Sequence, residues 1–268
     1  MSTPRLVATD LDGTLLGPDG TVSDRSRTVL QELDARGVPV VFVTGRPIRW
    51  METLWADVGG HGLAVCSNGG IVYDVTRREV SSALTVPRDL ALQVAQTLRQ
   101  ELPGTTFALE KTTGFAREHA FASRHPESAG VPTGRLEEIF DERVVKLLAL
   151  HDELVPEDYW RRARALVGDL VEVTWSSSFA LLEMSALGVT KASTLARLCA
   201  QLGIGPDEVV AFGDMPNDIA MLEWAGRSYA MAGGHADVRR VADAVAPGND
   251  EDGVATVLTD LFGLGRSR

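Results

Sequence analysis

An apolar run followed by two closely spaced acids stands near the start of the chain, where residues 5–20 read RLVATDLDGTLLGPDG. The apolar run stops abruptly at Asp10, and a second carboxylate, Asp12, follows two positions later. A short apolar run that ends on turn residues is typical of a buried strand. The stretch therefore predicts a strand that carries two acids at its carboxyl end.

Strand and helix patterns alternate on the carboxyl-terminal side of this stretch. A helix is predicted from about Ser23 to Arg36, with Ser23 as its N-cap and Gly37 just past its end. Further segments follow the same rhythm, namely the run VPVVFVT, a helix at about 47–58, a helix at about 191–202, the run EVVAF, a helix near 217–224 and the run SYAMA. Strands that alternate with helices indicate an α/β fold with a parallel sheet.

The rhythm changes in the middle of the chain. There we predict a hairpin, a helix, a strand, a second helix and a strand pair, from VYDVTRREVSSAL, PRDLALQVAQTLRQEL, VVKLLALHD, EDYWRRARALV and VEVTWSSSFALLEM. This pattern is typical of an α+β domain with antiparallel strands. We therefore expect a core domain formed by residues 1–84 and 184–268, interrupted by a separate domain at residues 85–183.

The composition and net charge of the chain exclude some classes of binding partner. The chain has 268 residues, of which 44% are hydrophobic, and a formal net charge of −11. This charge repels nucleic-acid backbones and anionic lipids, so we expect neither as a partner. No stretch approaches the roughly 18 apolar residues that span a bilayer, and the chain is interpreted as cytoplasmic. Cys66 and Cys199 lie far apart without a ligand pattern, which predicts buried free thiols.

Polar residues follow three of the predicted parallel strands. Asp10 follows LVAT, Thr44-Gly45-Arg46 follows VVFV, and Gly213-Asp214 follows VVAF, with Asn217 and Asp218 close behind. Loops at the carboxyl ends of parallel strands line the ligand crevice, so these residues should converge. Taken singly, each has a structural interpretation as a tight turn, a helix N-cap or an early-helix proline.

Converging carboxylates require a cation. Two of them about 4 Å apart repel by about 1 kcal/mol in water and by about 4 kcal/mol at an effective dielectric constant near 20. A calcium loop of the EF-hand type starting at Asp10 is excluded, because its required Gly and Glu positions hold Leu15 and Thr21. Oxygen ligands without a nearby histidine favour Mg²⁺ over zinc.

Lys191 adds a separate observation. It lies in the first turn of a predicted helix, where the helix dipole disfavours a cation by about 0.3–1 kcal/mol. A nearby anion would compensate, although a solvated lysine explains the position equally well. Thr44 and Gly45 are also predicted to open a helix, whose first N–H groups suit phosphate. Together these features favour a phosphate site.

Four motifs carry a family resemblance. DLDGTLL, TGR, Lys191 after GVT, and GDMPND occur in the order and approximate spacing of the motifs of haloacid dehalogenase superfamily phosphatases. With SNGG at 67–70 and LLEMSALGVTKASTLARLCAQLGI at 181–204, the chain resembles the Cof-type branch with a large α/β cap, class IIB. Ala192 departs from the glycine usual after the motif lysine. The resemblance implies a Rossmann-like parallel-sheet core with an inserted α+β cap domain.

The resemblance also implies a role for each motif residue. Asp10 would be the nucleophile, and Asp12 the general acid and base, while Asp218 would act mainly indirectly, through Lys191 or metal-bound water. The implied metal set is Asp10, Asp12, Asp214 and Asp218. The implied substrate-binding set is Thr44, Gly45, Arg46, Asn68, Lys191 and Asn217.

These inferences identify a Mg²⁺-dependent phosphatase of small phosphorylated metabolites, with sugar phosphates as the leading class and an aspartyl-phosphate intermediate. A phosphomutase of the same superfamily is the nearest alternative. A non-enzymatic phospho-accepting receiver is smaller, lacks an inserted domain and would have no use for Asp12. A phosphate-ligand binding protein would need no nucleophile and acid pair. We expect a monomer or a weak homodimer.

Overall fold

The computed structural model describes residues 3–57, 62–124 and 130–265. The described strands are β1 (Leu6–Thr9), β2 (Val40–Val43), β3 (Leu63–Cys66), β4 (Ile71–Asp74), β5 (Glu79–Ala83), β6 (Thr106–Lys111), β7 (Gly114–Arg117), β8 (Val144–Leu150), β9 (Val171–Thr174), β10 (Leu181–Ala186), β11 (Val209–Gly213), β12 (Arg227–Met231) and β13 (Ala244–Ala246). The described α-helices are α1 (Asp24–Ala35), α2 (Arg88–Glu101), α3 (Leu136–Ile139), α4 (Pro156–Val167), α5 (Lys191–Leu202), α6 (Ile219–Trp224), α7 (Ala236–Val241) and α8 (Gly253–Phe262). None of the helices described is long and apolar enough to cross a membrane.

The chain forms two compact units. Met1–Ser81 and Lys191–Arg268 form the first, and Ser82–Thr190 form the second. The second crossing therefore comes later than the sequence boundary at 183/184. The reason is that β10 continues to Ala186 and pairs with β9 as far as Ala186↔Val171, so the whole strand stays in the second unit.

The first unit contains an eight-stranded sheet in the order β13-β12-β11-β1-β2-β3-β4-β5. Strand β1 pairs in parallel with β11 on one side and with β2 on the other, and β2 pairs in parallel with β3. Every residue of β1, β2 and β11 is buried, which explains their continuous apolar runs. The predicted α/β fold is confirmed, and β1 lies in the interior of the sheet with its two acids at the carboxyl edge.

Helices α1 and α5 confirm the cap and periodicity predictions. The Ser23 hydroxyl accepts a hydrogen bond from the Ser26 N–H at 3.0 Å, and α1 ends before Gly37, whose φ is +72°. Helix α5 starts at Lys191 and buries Leu195 and Leu198, among others, in the core of this unit. Cys66 and Cys199 are free and buried, as expected.

The predicted helix at about 47–58 is wrong. Two separate 3₁₀ turns, Ile48–Trp50 and Trp55–Asp57, occupy this segment, and Val58 lies outside the described residues. Trp55 stacks on Tyr73 of β4 with ring centroids 4.9 Å apart. This contact joins residues 18 positions apart in the chain, and tertiary packing of this kind can outweigh a local preference for helix.

The second unit is an antiparallel sheet in the order β7-β6-β8-β10-β9. Helices α2 and α4 cover one face of it, burying Val94, Leu98, Tyr159 and Ala163 against residues of the sheet. The α+β character of this unit is confirmed. Sequence analysis missed the hairpin of β6 and β7, although the short run TFALEK followed by a Thr-Thr-Gly turn carried that signal.

Candidate active site

Four neighbouring strands of the first unit end at one edge of its sheet. Strands β11, β1, β2 and β3 are parallel neighbours, so the loops after them lie together. Backbone hydrogen bonds continue past the strand ends, from Asp10 N–H to the Phe212 carbonyl and from Thr44 N–H to the Val65 carbonyl. The predicted convergence of Asp10, Thr44 and the loop after β11 therefore has a structural basis.

Lys191 lies between two buried carboxylates. Its Nζ is 3.0 Å from Asp10 Oδ1 and donates to Asp218 Oδ1 at 2.7 Å, and its side chain is 1% exposed. Burial opposes the lysine charge, but the two acids raise the pKa of Lys191 above its ordinary value. Burial and the charge of Asp218 raise the pKa of Asp10 well above its ordinary value, although Lys191 opposes this shift. The anion expected beside Lys191 is thus supplied by the protein.

Asp218 holds the loop that follows β11. Its Oδ2 accepts hydrogen bonds from the N–H groups of Asp214 and Met215, each at 3.0 Å, while its Oδ1 binds Lys191. Gly213 is required here, because a Cβ at that position would lie 2.5 Å from the Cβ of Asp218. With both oxygens engaged, Asp218 is suited to orient its neighbours.

Asp214 completes a group of three acids. One carboxylate oxygen from each of Asp10, Asp214 and Asp218 lies within 4.8 Å of the other two. Burial, followed by the charge of Asp218, raises the pKa of Asp214 to about 7. Lys191 balances only part of this negative charge. The all-oxygen donors and the uncompensated charge fit a hard divalent cation such as Mg²⁺.

Two residues near Asp214 explain the turn after β1. The Thr14 hydroxyl donates to Asp214 Oδ1 at 3.1 Å, a contact that sequence analysis missed although Thr14 belongs to the DLDGTLL motif. Gly13 has a φ of +72°, and a Cβ there would lie 2.2 Å from Asp214 Oδ2. The glycine therefore permits both the turn and the close approach of Asp214.

Asp12 is oriented differently from Asp10. Its side chain is 59% exposed and forms a two-point ion pair with Arg46, from Nε to Oδ2 at 2.7 Å and from Nη2 to Oδ1 at 2.6 Å. The hydrogen bond to Asp12 raises the pKa of Arg46 above its ordinary value. The predicted acid and base residue and a predicted substrate contact are therefore bonded to each other.

The loop of Thr44, Gly45 and Arg46 does not open an α-helix, so the helix predicted to start there is wrong, and phosphate binding by Thr44 and Gly45 stays a prediction. The Thr44 hydroxyl instead accepts a hydrogen bond from the Arg46 N–H at 3.0 Å. The Thr44 carbonyl accepts one from the Asn68 N–H at 3.0 Å, and the Arg46 carbonyl accepts one from the Ser67 N–H at 3.0 Å. This loop is thereby joined to the SNGG segment.

The SNGG segment has unusual backbone geometry. Ser67 and Asn68 have φ values of +54° and +55°, a conformation that costs non-glycine residues free energy and recurs at functional sites. Asn217 Nδ2 donates to Asn68 Oδ1 at 3.1 Å, and the Thr194 hydroxyl of α5 donates to the Gly69 carbonyl at 2.8 Å. Among the described residues, Asn217 Oδ1 is buried without a hydrogen-bond partner. Asn68 and Asn217 are thus brought together, and their contact with substrate stays a prediction.

Two further segments support the site, and sequence analysis did not single them out. The His235 N–H donates to the Asp214 carbonyl at 2.7 Å, and a Cβ on Gly234 would lie 2.9 Å from that same oxygen. Asn249 Nδ2 donates to the Leu16 carbonyl at 2.8 Å, where the turn after β1 ends. Both contacts fix loops that carry the acids.

The family model of haloacid dehalogenase-like hydrolases matches residues 7–258. The chain is 30% identical over 275 aligned residues to 5-amino-6-(5-phospho-D-ribitylamino)uracil phosphatase YitU of Bacillus subtilis (strain 168), covering 97% of this chain and 98% of the relative. It is 31% identical to the phosphoglycolate phosphatase of Methanopyrus kandleri, covering 96% of this chain and 97% of the relative.

Among solved structures, the HAD subclass IIB sugar phosphatase BT4131 superposes with a TM-score of 0.79 at 21% identity, covering 97% of this chain and 99% of that one. At that identity the likeness supports the fold, an α/β core with a separate antiparallel domain. The family match over residues 7–258 and the named phosphatase relatives show that the chain belongs to the haloacid dehalogenase-like hydrolases and is a phosphoric monoester hydrolase.

Proposed function

We propose that this phosphatase is Mg²⁺-dependent and hydrolyses small phosphorylated metabolites through an aspartyl-phosphate on Asp10. The observation that carries the proposal is the placement of Lys191 Nζ between Asp10, at 3.0 Å, and Asp218, at 2.7 Å, beside a third acid, Asp214. A nucleophilic carboxylate must stay ionised and fixed in place, and the buried lysine serves both needs.

The first step forms the intermediate. An Asp10 carboxylate oxygen attacks the phosphorus of the ester, the bond from phosphorus to the leaving oxygen breaks, and Asp12 gives that oxygen its proton. Thr44, Gly45, Lys191 and Asn217 are proposed to bind the phosphoryl oxygens, with Asn68 next to Asn217. Lys191 is the proposed counter-charge for both Asp10 and the phosphate.

The second step releases the product. Asp12, now ionised, takes a proton from a water molecule whose oxygen attacks the phosphorus, and the bond between phosphorus and Asp10 breaks. Inorganic phosphate and the original Asp10 carboxylate result. Asp12 thus acts first as the acid and then as the base, so one residue influences both half-reactions.

Asp10, Asp214 and the backbone carbonyl of Asp12 are the proposed Mg²⁺ ligands. Asp218, included in the implied metal set but expected to act mainly indirectly, is proposed to act through Lys191 and the loop after β11, because both of its oxygens already accept hydrogen bonds. When bound, Mg²⁺ would offset the surplus negative charge and favour approach of the phosphate dianion. Thr14 and Gly13 position Asp214 for this role.

The proposed substrate class is a phosphate monoester of a small hydroxylated metabolite, with sugar phosphates first. The relatives named for a phosphoribitylamino-uracil and for phosphoglycolate support a small alkyl phosphate. The relative named HMP-PP phosphatase, 32% identical over 85% of this chain, widens the class beyond sugars. A panel of phosphorylated metabolites, ranked by kcat/KM, tests the proposal.

The intermediate itself can be tested directly. Acid quenching within the first turnover of a ³²P-labelled aryl phosphate should trap label on the protein, and hydroxylamine should remove it because an acyl phosphate is labile to it. The label should be absent from Asp10→Asn. Turnover without trapped label would refute the covalent step, and isomerisation of a sugar phosphate in place of phosphate release would indicate a phosphomutase.

A further inference from the structure

The pairing of Arg46 with Asp12 assigns the arginine a task different from the predicted substrate contact. The two hydrogen bonds, at 2.7 and 2.6 Å, use separate guanidinium nitrogens and separate carboxylate oxygens. Such two-point pairs fix orientation as well as distance, because both planar groups must be aligned. A single ammonium or amide group does not impose the same constraint.

Arg46 is itself anchored on both sides of its Cα. Its N–H donates to the Thr44 hydroxyl at 3.0 Å, and its carbonyl accepts from the Ser67 N–H at 3.0 Å. The side chain starts from a fixed backbone and is only 19% exposed. Arg46 can therefore transmit the geometry of its loop to the carboxylate that it binds.

Asp12 has no comparable support of its own. Its side chain is 59% exposed, and within residues 3–57, 62–124 and 130–265 hydrogen bonds to its carboxylate come from Arg46 alone. By contrast, the Asp10 and Asp218 carboxylates are held by buried Lys191. Without the guanidinium, Asp12 would sample its solvent-exposed rotamers.

We propose that Arg46 is a positioning residue for Asp12, holding the carboxylate that passes protons to the leaving group and from water. Each carboxylate oxygen keeps a second lone pair while it accepts a bond from Arg46, so the pairing leaves Asp12 able to carry a proton. This inference rests on the proposed function of Asp12 as the acid and base. It replaces direct substrate binding as the main role of Arg46.

A series of substituted phenyl phosphates, from p-nitrophenyl to unsubstituted phenyl phosphate, separates the two roles. Poorer leaving groups depend more on protonation, so loss of a positioned acid makes the rate fall more steeply along the series. The variants to compare are Arg46→Gln, Asp12→Asn and the double variant, with rapid mixing to isolate release of the phenol. Arg77→Gln, which removes an exposed arginine that pairs with Asp74 in the same unit, is the matched control.

We expect Arg46→Gln to lower kcat for phenyl phosphate about 10²-fold, the cost of a misplaced catalytic group, with KM changed less than about threefold. The p-nitrophenyl burst should change little. In the double variant, the arginine substitution should add no loss to that of Asp12→Asn, because residues that act as a unit are not additive. Arg77→Gln should match the wild type.

Two results would overturn the inference. An equal loss across the series with a raised KM would assign Arg46 to the phosphate, and full additivity with Asp12→Asn would separate the two residues. If Asp12→Asn itself shows no leaving-group dependence, the proposed role of Asp12 fails instead, so the two failures are distinguishable.

A second measurement tests the inference in case the Arg46→Gln variant does not fold. Ethylguanidinium added to Arg46→Ala should restore part of the phenyl phosphate rate, and it should restore none in Arg46→Ala/Asp12→Asn. Arg46→Lys, which keeps the charge but loses the two-point geometry, should be intermediate in leaving-group dependence. Equal rescue of the single and the double variant would also contradict the inference.

Discussion

Two lysines, one in each unit, are almost completely buried and are paired with acids. Lys191 of the first unit is 1% exposed and contacts Asp10 and Asp218. Lys146 of the second unit is 2% exposed and donates to Glu183 Oε1 at 2.9 Å. By burial and by ion-pair distance the two lysines are alike.

Their surroundings differ in charge and in place. Lys146 lies in β8, opposite Glu110 of β6 in the antiparallel register and next to a register shift between Glu110 and Lys111. Lys191 lies at the first residue of α5, in a unit where Asp10 and Asp214 both have raised pKa values. A buried lysine alone therefore does not mark a site. A group of acids that outnumbers the nearby lysine, at the carboxyl edge of a parallel sheet, is the better indication of a functional site.

The largest difference in activity is expected between a variant of Asp10, beside Lys191, and a variant of Glu183, beside Lys146. Asp10→Asn keeps the shape of the side chain but removes the nucleophile, so kcat should fall at least about 10⁴-fold, and no phospho-enzyme should form. Glu183→Gln makes the same change beside Lys146 and should leave p-nitrophenyl phosphate turnover within a few-fold. A comparable loss in both variants, each checked for folding, would remove the distinction between the lysines.

Removal of the metal should lower activity through the group of Asp10, Asp214 and Asp218 and should not affect the pair of Lys146 and Glu183. Chelation should lower phosphate release by roughly 10³-fold, because the cation supplies several kcal/mol of charge stabilisation, and added Mg²⁺ should restore it. Gly13→Ala should show the loss even with Mg²⁺ present, since its Cβ would displace Asp214. Full activity of the wild type in chelator would refute the metal site.

Asp12→Ala separates the proposed role of Asp12 from that of Asp10 within the first unit. Proton transfer contributes typically about 10²- to 10⁴-fold, and an alkyl phosphate needs it more than an aryl phosphate does. We therefore expect a burst of p-nitrophenol followed by slow turnover, and a loss of at least about 10²-fold on sugar phosphates. Equal losses in the first half-reaction for both kinds of leaving group would refute Asp12 as the acid.

Lys146→Met tests the stability side of the comparison. Breaking a buried pair leaves Glu183 uncompensated and should cost about 3–5 kcal/mol of unfolding free energy, measured by urea denaturation. The double variant Lys146→Met/Glu183→Leu should recover part of this loss, because it also removes the Glu183 carboxylate. A double variant as unstable as the single one would show that the pair contributes more than charge balance.

The smallest expected effect is the pH dependence of the stability of the metal-free protein. The pKa of Asp214 is about 7 in the folded state against an ordinary 3.8, and that of Asp10 is also raised, so between about pH 7 and 5 the folded state binds more protons than the unfolded chain. The free energy of unfolding should therefore rise by about 2 kcal/mol as the pH falls through this window, which corresponds to roughly 4–8 °C in Tm. Mg²⁺ should flatten the trend, and Asp214→Asn should reduce it. A falling Tm in chelator would contradict the charge surplus.

Much of the fold could be predicted because its signals are local. Continuous apolar runs identified β1, β2 and β11, and the caps Ser23 and Gly37 marked the ends of α1. Because loops at the carboxyl ends of parallel strands lie together, the sequence also predicted that Asp10, Thr44 and Asp214 converge. The helix expected at about 47–58 failed, because the stacking of Trp55 on Tyr73 depends on a strand that comes later in the chain.

The sequence by itself determined which acids follow which strands, and through its motifs it identified the family and predicted Asp10 as the nucleophile. Only the tertiary structure decided which partner each polar group takes. Arg46 binds Asp12 across 34 positions, Thr194 binds the Gly69 carbonyl across 125, and Thr14 binds Asp214 across 200. Strand periodicity and helix caps act within a few residues, whereas a hydrogen-bond partner is selected by distance and angle after the sheet has brought its loops together.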